Sequence, residues 1–109
     1  MKYLWLDDER AVPAYFNNGE AEIARSYDEA IDIFLDMNDG EEFCIGFDHD
    51  LGKGKTGYDF ATWLVEHGVT GNFEVHTMNG VGRFNIVQLL THYGWTQMFK
   101  NQFAFFKNF

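Results

Sequence analysis

The chain has 109 residues, of which 46% are hydrophobic and 23% charged, so we expect one folded domain rather than a disordered chain. Eight basic against 17 acidic residues leave a net charge of -9, which opposes binding in the groove of duplex nucleic acid. The single cysteine excludes an internal disulfide and a zinc-finger cage. No signal peptide fits the first ten residues and no apolar run approaches ~20 residues, so we expect a cytoplasmic protein without a membrane partner.

Strands and helices are predicted to alternate along the chain. Short apolar runs predict strands at residues 2–6, 21–25, 43–47 and 72–77. Apolar residues at helical spacing predict helices over 27–38, from Thr56 to His67, and up to Tyr93. Ser26 with Glu29, and Thr56 with Asp59, have the spacing of helix-capping pairs. Such alternation is typical of a parallel sheet with right-handed crossovers.

Two segments have no helical periodicity that would settle their structure. Residues 9–20 contain the only proline and end in Asn17-Asn18-Gly19, which predicts a loop with a turn. The aromatic tail, residues 95–109, could be helix or strand. We expect it to pack on the domain or to form an interface with a second copy or a host protein.

Acidic residues follow two of the predicted strands. Asp7 and Asp8 end the first strand, and Asp48 and Asp50 end the third. Ligands bind at the carboxyl ends of parallel strands, and clustered carboxylates there suit Mg²⁺ or Mn²⁺. We therefore take Asp7, Asp8 and Asp48, with Asp50, as candidate metal ligands. Each aspartate alone could instead cap a helix or lie in solvent.

Two histidines stand at the same predicted edge. His49 follows the third strand and His76 ends the fourth. Histidine titrates near neutral pH, so the pair could divide proton removal and proton donation between them, with Asp48 as a further catalytic candidate. One of the two could instead be a hydrogen-bonded structural histidine.

Half of the eight basic residues fall in the strand-end loops or at the start of the helix that follows, namely Arg10, Lys53, Lys55 and Arg83. Positive charge beside carboxylates suggests a bound anion such as phosphate, and the helix start near residues 80–83 favours one as well. Of these residues we take Arg10, Lys53 and Arg83 as phosphate-binding candidates. Asn79 is a further phosphate-binding candidate, and Asn79 and Asn85 would orient the loop. Simple ion pairing with the aspartates is the alternative for each residue.

Several segments together resemble the cyclic-phosphate-processing receiver-like domains of bacteria and their phages. The resemblance runs from about residue 3 to residue 94. It rests on LDDER at 6–10, FDHDLG at 47–52, TGYD at 56–59, HTMN at 76–79 and VGR at 81–83.

The resemblance implies an α/β, receiver-like (flavodoxin-like) three-layer sandwich with a small, mostly parallel sheet flanked by helices. In ordinary receivers an acidic pair after the first strand binds Mg²⁺ and an Asp after the third accepts a phosphoryl group; Asp7, Asp8 and Asp48 match these positions. Thr77 matches the switch hydroxyl residue and joins the phosphate-binding candidates. The chain departs from signalling receivers in its two histidines, its loop-like first crossover and the lack of an obvious lysine after a fifth strand, which counts against phospho-relay.

Three functions are consistent with these features. The leading hypothesis is metal-assisted hydrolysis of a cyclic phosphate on an RNA end or a nucleotide. The second is a non-catalytic module that senses or sequesters a cyclic phosphate or a metal. The third, suggested by the net charge and the aromatic tail, is a phage-type acidic inhibitor of a host protein.

Overall fold

A sheet of five parallel strands forms the centre of the computed structural model of this protein, which describes residues 1–16 and 19–100. The strands are β1 Lys2–Leu6, β2 Glu22–Ala24, β3 Phe43–Phe47, β4 Asn72–Val75 and β5 Thr96–Gln97. Their spatial order is β2-β1-β3-β4-β5, and every neighbouring pair runs parallel. This order is that of the flavodoxin-like sheet, so the predicted α/β receiver-like fold is confirmed.

Within the described ranges the chain forms three α-helices, α1 Tyr27–Met37, α2 Gly57–Glu66 and α3 Gly80–His92. Each begins at a side chain that accepts a hydrogen bond from an otherwise unpaired backbone N–H. Ser26 accepts from Glu29, and Thr56 forms a complete capping box with Asp59, as their spacing predicts. Asn79, which the sequence analysis took as a residue of the phosphate-binding loop, caps α3 by accepting from the N–H of Gly82.

The helices share one face of the sheet. Alternate strand residues such as Leu4, Ile45 and Phe73 pack there against buried residues of all three helices. The opposite face carries Trp5 and Cys44 and is covered by the β1–β2 connection, which places Val12 and Phe16 on it. This connection thus forms the third layer of the predicted sandwich. Its described residues form a loop with a short 3₁₀-helix at Ala14–Phe16.

The element boundaries differ from prediction mainly at the sheet edges. β2 is shorter than predicted, and β4 ends at Val75, so His76 and Thr77 lie just beyond it. The tail supplies a short edge strand, β5, and Lys100 follows it. No lysine was obvious after a fifth strand in the sequence because this strand has only two residues and was not predicted. The predictions for residues 101–109 fall outside the described part of the chain. No described helix has the length and apolar content needed to cross a membrane.

Backbone hydrogen bonds continue the ladder one residue past three strands. Asp7 N–H donates to Ala24 O at 3.1 Å, Asp48 N–H to Leu6 O at 2.9 Å, and His76 N–H to Phe47 O at 3.0 Å. These bonds hold the three residues in register at the carboxyl edge of the sheet. The predicted convergence of the strand-end clusters is therefore confirmed for one residue of each cluster.

Candidate active site

Asp7, Asp48 and His76 form a buried group at the carboxyl edge. Each can offer one ligand atom such that all three atoms lie within 4.8 Å of one another. The exposed fractions of these residues are 1%, 7% and 7%. Burial of charged groups costs free energy unless they are paired, so this group requires compensating partners.

Backbone and imidazole donors surround the carboxylate of Asp7. Oδ1 accepts from the N–H groups of Glu9 and Arg10, each at 2.8 Å, and Oδ2 lies 3.1 Å from Nε2 of His76. Burial raises the pKa of Asp7, but the hydrogen bonds from His76, Arg10 and Glu9 outweigh it and lower that pKa to about 2. Asp7 is therefore a carboxylate at any physiological pH.

The imidazole of His76 lies between two carboxylates. Its Nδ1 is 2.8 Å from Oε1 of Glu74, and its other nitrogen faces Asp7. The Tyr15 hydroxyl donates to Oε2 of Glu74. Burial lowers the pKa of His76, but hydrogen bonds to Asp7 and Glu74 and their charges raise it overall. We call Tyr15, Glu74, His76 and Asp7 the buried polar chain.

Aromatic packing fixes the plane of this imidazole. Trp5 stacks on His76 with a ring-centroid distance of 3.8 Å and an interplanar angle of 7°. Gly46 provides the space: a Cβ there would lie 3.0 Å from Oε1 of Glu74 and 3.0 Å from a Trp5 ring carbon. The glycine inside the apolar strand β3 thus admits a buried carboxylate on this face.

Asp48 is the second carboxylate of the group. The Thr77 hydroxyl hydrogen-bonds to it, and the Asp50 N–H donates to its Oδ1 at 3.4 Å. Burial, followed by the negative charge of Asp7, raises the pKa of Asp48. A cation near both carboxylates would relieve this repulsion.

The donor set can hold a divalent metal. Two carboxylate oxygens suit Mg²⁺ or Mn²⁺, and an imidazole nitrogen is accepted more readily by a transition metal. Donation of Nδ1–H to Glu74 would leave the Nε2 lone pair facing Asp7, which is the arrangement of metal-binding histidines supported by a carboxylate. Without a metal, the imidazole of His76 bridges the two carboxylates through its two ring nitrogens.

Three further residues predicted to act at this site lie outside the group. Asp8 is half-buried, and its Oδ2 is 3.5 Å from the position of a Cβ on Gly52. Asp50 is exposed and contacts Asp48 through its backbone. The ring of His49 packs against Gly82, where an added Cβ would lie 2.4 Å from its Cγ. Nδ1 of His49 is buried and has no hydrogen-bond partner among the described residues.

The predicted phosphate-binding residues do not all lie at the site. Arg10 borders the site: its Nη1 donates to His76 O at 2.8 Å and its Nε lies 4.0 Å from Oδ2 of Asp7. Arg83 instead donates to Val75 O at 2.6 Å, and burial lowers its pKa while the charge of Glu74 raises it.

The remaining polar candidates have structural or exposed positions. Asn79 caps α3, and Thr77 accepts from the Asn79 N–H at 3.1 Å. Lys53 and Asn85 are exposed. Lys55 lies over the Tyr27 ring, with Nζ 4.8 Å from its centroid. The site therefore gathers Arg10 and Thr77 beside the buried group.

Glu74 and Tyr15 are the members of the buried polar chain that no sequence pattern predicted as site residues. Glu74 carried a signal, because an acidic residue two positions before His76 in an apolar strand shares its face. Tyr15 lies in the β1–β2 connection, where periodicity carries no information.

Comparisons with known proteins agree on the fold. The sequence profile described as "cyclic-phosphate processing receiver domain" matches residues 2–92. No curated protein sequence matches the chain. One similar solved structure is described as the yeast Spc42 trimeric coiled coil, amino acids 181–211, fused to another structure. It is 18% identical in sequence and has a TM-score of 0.62, and the match covers 96% of this chain and 73% of the other chain. At that identity the likeness shows the fold alone.

Proposed function

The chain belongs to the family of cyclic-phosphate processing receiver domains, and on that premise we propose that it hydrolyses a cyclic phosphate carried by a nucleotide or an RNA end. The observation that supports this most is the convergence of buried Asp7, Asp48 and His76 within 4.8 Å at the carboxyl edge. This edge is where ligands bind in sheets of this topology.

In this proposal Asp7, Asp48 and His76 hold Mg²⁺ or Mn²⁺, and the imidazole favours Mn²⁺ of the two. Such a metal, when bound, neutralises charge on phosphate oxygens and lowers the pKa of a bound water. Asp8 and Asp50 do not belong to the buried group, so in this proposal they would contact the metal only through bound water.

The chain's own residues then bind and orient the phosphate. Arg10 contributes a cation beside Asp7 and is half exposed, so it can meet an incoming phosphate oxygen. The Thr77 hydroxyl holds the carboxylate of Asp48 in place. His76 engages two carboxylates, so proton transfer to the leaving oxygen falls to His49 in this proposal.

Phosphorus NMR of the full chain mixed with a nucleoside 2′,3′-cyclic phosphate, or an RNA oligomer with a cyclic phosphate end, tests the proposal. We expect ring opening with Mg²⁺ or Mn²⁺, and none with EDTA. Asp48→Asn and His76→Gln should abolish turnover, whereas His67→Gln, on an exposed residue remote from the site, should not. His49→Gln tests the proton-transfer role separately.

Other outcomes favour the other hypotheses. A ligand-induced shift without turnover would identify a binding module that senses or sequesters the phosphate. No turnover and no binding would overturn the proposal and leave the protein-inhibitor hypothesis, whose aromatic tail lies mostly beyond the described residues.

A further inference from the structure

A cavity of about 280 Å³ lies beside the buried group. It is between the β1–β2 connection and the sheet face that carries Trp5 and Cys44, which we call the second face. Its apolar and aromatic lining comes from Trp5, Ala11, Pro13, Tyr15 and Met78. The cavity volume is near the lower end of the ~300–1,000 Å³ typical of small-molecule sites.

The same cavity adjoins the candidate active site. Arg10 and His76 also line it, and both contact Asp7: Nε of Arg10 at 4.0 Å and Nε2 of His76 at 3.1 Å. Only the side chain of Arg10 or of His76 therefore separates a ligand in the cavity from the carboxylate of Asp7. Two parts of one small molecule, one apolar and one anionic, can occupy the cavity and the site together.

We infer that this cavity binds the nucleobase of a nucleoside cyclic phosphate whose phosphate group lies at Asp7, Asp48 and His76. The inference rests on the proposed function and adds to it a binding site for the base that the substrate carries. It makes the protein selective for nucleotides and single-stranded RNA ends, whose bases are free to leave a stack.

The chemistry of the lining favours a planar heterocycle over an aliphatic group. Unpaired bases are commonly bound by stacking on aromatic side chains and guanidinium planes, which Tyr15 and Arg10 can supply, while Trp5, already stacked on His76, adds an apolar wall. Arg10 also adds positive charge at the boundary with the phosphate, in a chain whose net charge of -9 otherwise repels anions.

Met78 supplies a movable outer wall. Its side chain is 69% exposed although it lines the cavity, and it stands two residues after His76. A flexible thioether adapts to purine or pyrimidine shapes and contacts aromatic rings favourably. Val81 is similarly exposed, at 73%, but does not line the cavity, so it serves as a matched control.

The test compares two probes that share a five-membered cyclic phosphate, adenosine 2′,3′-cyclic phosphate and base-free ethylene phosphate. Their dissociation constants are measured by calorimetry on the His49→Gln chain, which the proposed role of His49 predicts to be inactive, and kcat/KM is measured on the unmodified chain. We expect the base to lower Kd at least about tenfold, in keeping with base stacking on aromatic residues.

Two cavity variants sharpen the comparison. Ala11 is exposed, so Ala11→Trp fills the cavity without burying new surface in the core. We expect Ala11→Trp to raise the Kd of the nucleotide at least about tenfold more than that of ethylene phosphate, and Met78→Ala to do so several-fold. Val81→Ala should change neither, and circular dichroism confirms that each variant is folded.

The outcomes separate the inference from the proposed function. Equal binding of both probes, or equal effects of Ala11→Trp on them, would overturn the nucleobase site and leave cyclic-phosphate hydrolysis intact. Failure of the unmodified chain to bind or turn over either probe would overturn both.

Discussion

Oε1 of Glu74, within β4, lies 2.8 Å from Nδ1 of His76, which follows two residues later in the chain. This contact turns the imidazole so that Nε2 faces Asp7 at 3.1 Å. Glu74 is itself held by the hydroxyl of Tyr15. The residue that directs His76 is thus a buried carboxylate that touches no proposed substrate atom.

Glu74→Gln should weaken the site without removing any proposed ligand. A glutamine amide lacks the negative charge with which Glu74 accepts the hydrogen bond from Nδ1–H of His76. Loss of such a partner typically lowers metal affinity or activity about 10–100-fold. Titration of Mn²⁺, followed by its paramagnetic resonance signal, measures the affinity. Exposed Glu66→Gln is the control, and equal affinities of the two variants would contradict the prediction.

The metal-free protein should lose stability as the pH rises. Burial lowers the pKa of His76, but its hydrogen bonds to Asp7 and Glu74 keep that pKa above the ordinary value of 6.5. The folded chain therefore retains a proton that the unfolded chain has released. The stabilisation that this proton gives the folded chain is complete below about pH 6.5, and it is lost as the pH rises through the pKa of His76 in the folded chain.

Urea denaturation in EDTA, from about pH 6 to about pH 8.5, measures this loss as a falling free energy of unfolding. His76→Gln should remove most of the slope, because glutamine has no proton to release in this range. Identical slopes for the variant and the unmodified chain would show that His76 is not the group responsible.

Two glycines at equivalent helix positions should respond oppositely to alanine. Gly57 and Gly80 are the first residues of α2 and α3. A Cβ on Gly57 would lie 1.8 Å from the backbone oxygen of Asp48, whereas one on Gly80 meets nothing within 4 Å. We expect Gly57→Ala to lower the free energy of unfolding by about 3 kcal/mol.

Gly80→Ala should instead raise the free energy of unfolding by about 0.4–1 kcal/mol, since alanine restricts the unfolded chain. Thermal or urea unfolding of the two variants gives both values. Because Gly57 packs on the backbone of Asp48, we also expect Gly57→Ala to weaken metal binding. A stable Gly57→Ala variant with full metal affinity would refute this account.

Cys44 should be unreactive while the protein is folded. It is fully buried on the second face, and burial, followed by the charge of Glu74, raises its pKa to about 12. Thiolate is the reactive form, so Ellman's reagent at about pH 8 should react only after denaturant is added. Rapid labelling of the native chain would show that the second face opens.

The sequence by itself determined the local elements and the fold. The apolar run of β3 and the Thr56–Asp59 capping box act within a few residues of chain, so composition and spacing predicted them. Alternation of strands and helices then determined a parallel sheet, and with it the edge at which Asp7, Asp48 and His76 meet. The motifs around these residues carried the family resemblance, which the profile match confirmed.

Only the tertiary structure decided which of the edge residues share a site. Neighbouring residues at a strand end point to opposite sides, so Asp48 joined the buried group while His49 packed on Gly82 of another element. Tyr15 meets Glu74 across 59 positions of the chain, through a connection without periodicity. Contacts at such separation depend on how the loop folds over the sheet, and no local pattern of residues encodes that path.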